Sequence, residues 1–384
     1  MLRAFDGYWG GRPNLDGIVF HIVPDQTVQA LELEKNQLQL IEAPGTQASS
    51  LKTAGGVNLY AGPPATGYVL AMNVNASGGD VNAPLRNVLV RQAIFDAINR
   101  TAIIQAVESG YGVPAITMVT PASQFWNASL KTVADGGNIA LAKQLLAQAG
   151  YSNGLQLNML VSPYLNFDKM GTVIQQNLKQ IGITVSLTDE DFGIIGHQLL
   201  THSPQWQLSV HDLFLPTLVR INDYYNSRNA VPFAFNLQTV NDNTLDGLLS
   251  QMINGSQDSH VLQGVVNQVQ QRILSQAYGA WLYYPIRNFA TTSNVVGYKP
   301  HQNQYYQLLV YQPLIGLNTT IVQSRSAAAS SPQPIIGILE PEFLASFVTV
   351  AVFAVTISRF GGMLEKSLQS FFRKLGQRAL HSAL

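Results

Sequence analysis

Three adjacent acids, Asp189-Glu190-Asp191, offer the carboxylate oxygens that a hard cation takes. No fixed ligand spacing surrounds them, so the run reads as a solvated turn or a helix N-cap at a strand-to-helix junction. The seven histidines, His21, His197, His202, His211, His260, His301 and His381, are scattered and form no His-Glu-x-x-His element. Gly110-Tyr111-Gly112 lacks the third glycine and the lysine of a phosphate-cradling loop, and no Gly-x-Ser-x-Gly elbow occurs. With no cysteine, a thiol nucleophile, a thiolate metal site and a disulfide frame are excluded together. These residues build no catalytic constellation, no metal site and no cofactor site. Lysine plus arginine equals aspartate plus glutamate at 22 each, and charged residues make up 11% of the 384. Such a chain has no basic footprint for nucleic acid, so its partner is expected to be a small or neutral-polar molecule.

The elements that carry these residues alternate. Gly17–Val23 reads as a strand, and Thr27–Leu33 followed by Leu38–Ile41 as a helix feeding a strand. From Pro84 the period becomes helical, with Val90, Ala93, Ile94, Ala97 and Ile98 on one stripe and Asn87 as N-cap; a second helix starts at Asn99 or Thr101. Then a unit repeats. Helix 138–149 is capped by Asn138, ends at Gly150 and leads into strand Leu155–Val161; helix 168–181 is capped by Asp168, ends at Gly182 and leads into strand Ile183–Leu187. Helices near Asn243–Met252 and His260–Gln276 precede an apolar strand at Ala280–Arg287. This alternation predicts an α/β layered fold.

Ser324–Pro334 is small, polar and proline-punctuated, as a linker is. After it, Phe343–Ser358 is sixteen residues without a charge. At about 1.5 Å per residue it spans roughly 24 Å of the roughly 30 Å hydrocarbon core of a bilayer, and apolar flanks extend it. Arg359, Lys366, Arg373, Lys374 and Arg378 follow against the single acid Glu365. A transmembrane helix over 335–360 is therefore expected, with the basic tail 361–384 cytoplasmic and residues 1 to about 334 outside.

Several segments, in order, resemble the extracellular solute-binding proteins of family 5, the peptide- and nickel-type binding proteins of ABC importers. Asp6–Asp16 (DGYWGGRPNLD) is similar to the family's Tyr-Trp-Gly-Gly segment, and Tyr68–Asn73 (YVLAMN) to its strand ending in asparagine. Ala83–Arg100 (APLRNVLVRQAIFDAINR) resembles the family's Val-Arg-Gln-Ala-Ile helix, continued by Gly110–Ala115. Ala142–Leu155, Ile174–Val185 and, loosely, Asn241–Leu249 resemble later segments. The resemblance implies an α/β, periplasmic-binding-protein-like two-lobe architecture of type II: a partial first lobe at 1–72, the second lobe at 73–283, and a return to the first lobe at 284–323. Family members carry roughly two hundred further residues before the Tyr-Trp-Gly-Gly segment. Most of the first lobe is therefore expected to be missing from this sequence.

The same resemblance implies function. The family holds a free α-amino group on an aspartate in a strand-end loop before a proline, and His211–Pro216 (HDLFLP) occupies that place, so Asp212 is the candidate ligand carboxylate. Phe214, Tyr111 and Trp126 are candidate apolar cleft walls, and Asn73 a candidate polar contact at a lobe crossing. The expected ligand is a small peptide or an oligosaccharide, and the expected partners are ABC permease subunits and, through the C-terminal helix, the cell membrane. The competing reading is a truncated, non-binding remnant or a membrane-anchored structural protein.

Overall fold

The helix signals at 87 and 138 act as anticipated: in the computed structural model Asn87 accepts from the Leu89 amide at 2.9 Å and Asn138 from the Leu141 amide at 3.1 Å. The structure describes residues 1–300 other than 9, 10, 24, 44, 65, 75–82, 131–135, 202–205, 214–216, 231–234 and 257, together with the backbone of 316–317 and 335–337. Two compact units result. One comprises Met1–Val19 with Asp25–Gly337; the other, Phe20–Pro24 with Ile338–Leu384, lies almost wholly outside the described residues.

The chain opens with β1 (Leu2–Arg3), β2 (Gly17–Phe20), α1 (Gln26–Glu34), β3 (Leu40–Ala43), α2 (Gly45–Thr53) and β4 (Val57–Ala61). Next come β5 (Gly67–Met72), α3 (Ala83–Arg86), α4 (Val88–Ala97), α5 (Arg100–Glu108), β6 (Gly112–Pro114), α6 (Ile139–Gln148), β7 (Leu155–Val161) and α7 (Phe167–Lys179). They are followed by β8 (Ile183–Asp189), α8 (Phe192–Leu200), β9 (Leu208–Leu213), α9 (Leu218–Tyr225), α10 (Asn243–Asn254), α11 (Ser259–Gln276) and β10 (Gly279–Pro285). Last are β11 (Asn288–Thr292), β12 (Val295–Val296), β13 (Gly316–Leu317) and β14 (Ile335–Gly337).

Two six-stranded sheets organise them, in the orders β1-β2-β14-β3-β11-β4 and β6-β10-β5-β9-β7-β8. In the second sheet β7 and β8 pair in parallel, Leu155 against Ile183, and α7 supplies the crossover that a parallel pair requires. Every residue of β5 and of β10 is buried, because helices cover both faces of the strands at the sheet's middle. Gly150 and Gly182, both at φ +90°, end the turns after α6 and α7, a conformation that a side chain resists.

Several expectations need correction. Asp168 is not the cap of α7: Asn166, in a left-handed conformation and without a side-chain cap bond, precedes the helix, and Asp168 sits in its first turn. The last apolar strand stops at Pro285, so Arg287 lies outside it. Asp212 belongs to a strand, not to a loop. The chain leaves the first sheet across 62–66 and returns across 286–287, so β5, expected with residues 1–72, is a strand of the second sheet. Ile335–Gly337, expected to open a membrane helix, is a strand, with Gly337 paired in parallel to Leu40. The rest of that segment, 338–360, with the linker 324–334 and the tail 361–384, lies outside the described residues. Among the described residues no helix is long and apolar enough to cross a membrane.

Candidate functional site

The two crossings meet at one edge of the second sheet. β9 and β10 both run antiparallel to β5, so their C-terminal ends lie beside the start of β5. There Tyr68 stands opposite Asp212 in register and opposite Tyr283 on its other side. The two tyrosine rings meet edge to face at 4.9 Å, and Phe167 closes on Tyr68 at 5.7 Å. Tyr283 donates its hydroxyl to Glu108 Oε1 at 2.9 Å. From the first sheet comes Glu42 on β3, which accepts from Arg287 Nη1 at 2.6 Å. The crossings are tied together, because the Gly62 amide donates to the Arg287 carbonyl at 2.7 Å and the Ile286 amide to the Tyr111 carbonyl at 3.2 Å.

Asp212 is 5% exposed, and its Oδ2 finds no hydrogen-bond partner among the described residues. Burial pushes its carboxyl up to about 7, against the opposing charge of Arg287. Burial likewise raises Glu108, opposed by the Tyr283 hydroxyl and by Arg287. On the far face of the same strand, burial lowers His211 to about 4, and its Nδ1 has no partner among the described residues. Burial works against the charge of Arg287, but Glu42, Tyr68 and Asp212 outweigh it and hold the guanidinium protonated. The cluster thus sets three carboxylates, on Glu42, Glu108 and Asp212, against the one guanidinium of Arg287. Of the three acids Asp212 alone is buried, Glu42 and Glu108 being partly exposed.

The other expected site residues are distributed unevenly. Tyr111 lies at the junction, half-buried, with its hydroxyl 3.4 Å from Ser49 Oγ. Trp126 packs edge to face on Tyr284 at 6.0 Å, and the Tyr284 hydroxyl donates to the Thr117 and Val119 carbonyls. Asn73 is 1% exposed; it donates to the Trp206 carbonyl at 3.2 Å and accepts from Thr239 Oγ1 at 3.0 Å. It follows the opposite end of β5, roughly 17 Å from Asp212 at about 3.3 Å per residue. Phe214 lies outside the described residues. Asp191 caps α8 by accepting from the Gly193 amide at 2.8 Å, the structural role anticipated for that acidic run. Sequence reasoning missed Glu42, Tyr68, Glu108, Tyr283 and Arg287; a lone arginine directly after an apolar strand was the one available signal.

The family model of bacterial extracellular solute-binding proteins, family 5, matches residues 1–235. The chain is 31% identical over 197 residues to the dipeptide-binding protein of Escherichia coli K12, covering 50% of this chain and 35% of that one. It is 31% identical over 195 residues to the glutathione-binding protein GsiB of the same organism, covering 50% and 36%. In fold it is similar to the oligopeptide-binding protein AppA from Bacillus subtilis, solved with a nonapeptide, at a TM-score of 0.69 and 21% identity; the match covers 82% of this chain and 63% of that one. The matched part therefore spans about a third of the length of these curated relatives.

Proposed function

The chain belongs to the bacterial extracellular solute-binding proteins of family 5, and from that premise we propose that it captures small peptides for an ABC importer, holding the peptide's free α-amino group on Asp212. The observation that carries this reading is a carboxylate at 5% exposure whose Oδ2 has no partner among the described residues, set where acids outnumber the guanidinium. An ammonium brings the missing charge and up to three donors, and in a poorly hydrated site such charge-assisted bonds are strong. A neutral oligosaccharide brings no charge. In this reading the two sheets are the cores of two lobes, and 62–66 with 286–287 are the hinge on which they close. Tyr111 lines the site beside the hinge, and Phe214 and Trp126 supply apolar wall. Asn73 is left to the scaffold.

Calorimetry of the full chain against dipeptides and their N-acetylated forms tests the reading. Dipeptides are expected to bind, and either N-acetylation or Asp212→Asn to weaken binding by ~30-fold or more. Heat with oligosaccharides alone would overturn the peptide assignment, and heat with neither class would favour a chain that does not bind. The apolar run 343–358 would hold the carrier on the outer face of the membrane beside its permease. Alkaline carbonate should then leave the full chain in the membrane pellet; release into the supernatant would remove this part of the proposal.

A further inference from the structure

α2 packs on β4 and β11 of the first sheet, yet its first residue meets the end of α5, a helix that packs on β6 and β10 of the second. A Cβ built on Gly45 would overlap the Glu108 carbonyl oxygen and stand 3.3 Å from Tyr111 Cβ, so only glycine admits this backbone-to-backbone approach. One turn on, Ser49 Oγ lies 3.4 Å from the Tyr111 hydroxyl. The surface that Gly45 meets is held from several sides. α5 ends through two left-handed residues, Ser109 at φ 50° and Gly110 at φ +91°, and the Glu108 carbonyl accepts from the Tyr111 amide at 2.9 Å. The Tyr111 carbonyl accepts from the Ile286 amide of one crossing, and the Glu108 carboxylate accepts from the Tyr283 hydroxyl. Tyr283, Tyr68 and Asp212 stand in one row across three strands, so their side chains share a face of the second sheet. Gly45 thus reaches the second sheet on the face that carries Asp212.

Two bodies joined by a hinge stop turning where backbone meets backbone, because close-packed interiors do not yield. We propose that Gly45 against the Glu108 carbonyl is the stop that sets how far the two lobes close over Asp212. The polar link beside it, Ser49 with Tyr111, is exposed and parts at little cost. A side chain at position 45 reaches the stop sooner and leaves the lobes further apart, with Asp212 less enclosed. The proposal rests on the two-lobe reading, in which 62–66 and 286–287 are the hinge.

The test is a spin-label distance measurement on the full chain. The sequence has no cysteine, so Lys35→Cys after α1 and Lys179→Cys at the end of α7, both exposed, take the two labels alone; neither lies on α2 or α5, so they report the lobes and not a local shift. Gly45→Ala should lengthen the shortest separation in the distribution by roughly 2 Å, and Gly45→Val by more. Ser49→Ala, which removes the polar link without adding bulk, should leave it unchanged. Urea unfolding of Gly45→Ala should match that of the parent, since a stop is a contact that the fold can release. Dipeptide binding should weaken by ~5-fold or more, because the enclosed arrangement is less populated. A Gly45→Ala chain that folds with an unmoved separation would overturn the proposal. So would one that fails to fold, since the contact would then be part of the packing and not a stop. The distance readout needs no ligand. A lengthened separation in a chain that binds no dipeptide would therefore count against the peptide reading and leave the stop intact, whereas dipeptide binding with an unmoved separation would do the reverse.

Discussion

Asp212 and His211 are neighbours on β9 with opposite titration problems. Burial raises Asp212 from 3.8 to about 7, so the folded state keeps a proton that the unfolded chain releases. The stability this brings is complete below 3.8 and is lost as pH rises through about 7. His211 falls from 6.5 to about 4, so the unfolded chain takes a proton that the folded state refuses, and stability is lost as pH drops from 6.5 through about 4. Over the window they share, the two slopes oppose one another. Asp212→Asn should therefore be more stable than its parent by ~2–4 kcal/mol at pH 8 and nearly equal to it below pH ~4, as urea unfolding at the two pH values will read. A gain at low pH instead would contradict burial as the cause. His211→Gln should gain on its parent by up to ~3 kcal/mol as pH falls from about 6.5 to about 4, and a difference that does not change with pH would exclude the neutral, buried histidine. At this scale Asp212 was singled out only through the resemblance of His211–Pro216 to the family's strand-end loop, and the structure places it in a strand. Its surroundings were not: Glu42 and Arg287 are 245 residues apart, and nothing local to either marks the other. Asn73 shows the converse, since its sequence displays an amide but not the Trp206 and Thr239 groups that fold onto it.

Elements with a side-chain start signal were read closely. Asp242 illustrates why such signals are strong. It accepts from the Thr244 and Leu245 amides at the start of α10 and also takes Arg272 Nε and the Tyr278 hydroxyl, both at 2.7 Å. One carboxylate thus caps a helix and joins it to α11 and to the start of β10. Asp242→Ala should cost about 3 kcal/mol, a lost cap plus lost charge-assisted bonds, and a melting temperature within a degree or so of the parent's would show those bonds to be idle. Gly67 opens β5, where a Cβ would meet Trp281 Cζ3 at 2.8 Å and Tyr284 Cδ1 at 3.3 Å. Gly67→Ala should destabilise by ~1–3 kcal/mol through overpacking, measured by denaturant unfolding; a neutral result would mean that the Trp281 ring can yield. The elements that escaped the sequence lack such marks. α2 (GTQASSLKT) buries only Gly45, Ala48 and Leu51, too thin a stripe to read as a period. β9 (LSVHDL) alternates apolar and polar residues but sits between β5 and β7, so even its polar residues are buried.

For the whole molecule, the alternation of helix and strand gave the layered α/β class, because the 3.6-residue and 2-residue periods are local properties. Which sheet a strand joins is not local, and nothing within Gly67–Met72 itself assigns β5 to the second sheet. Strands also differ in depth within each sheet, β11 of the first being buried throughout and β6 of the second nowhere. β5 and β10 are buried at every position, whereas β2 and β4 of the first sheet contain no buried residue. Amide exchange should accordingly be slower in β5 and β10 than in β2 and β4, and equal protection would mean that the sheets open as one unit. The placement of β14 between β2 and β3 has a further outcome. A strand made of residues 335–337 occupies an inner position of a sheet whose other members lie within the first 300. During synthesis that layer stays unfinished until residues 335–337 have left the ribosome, long after its other strands have emerged.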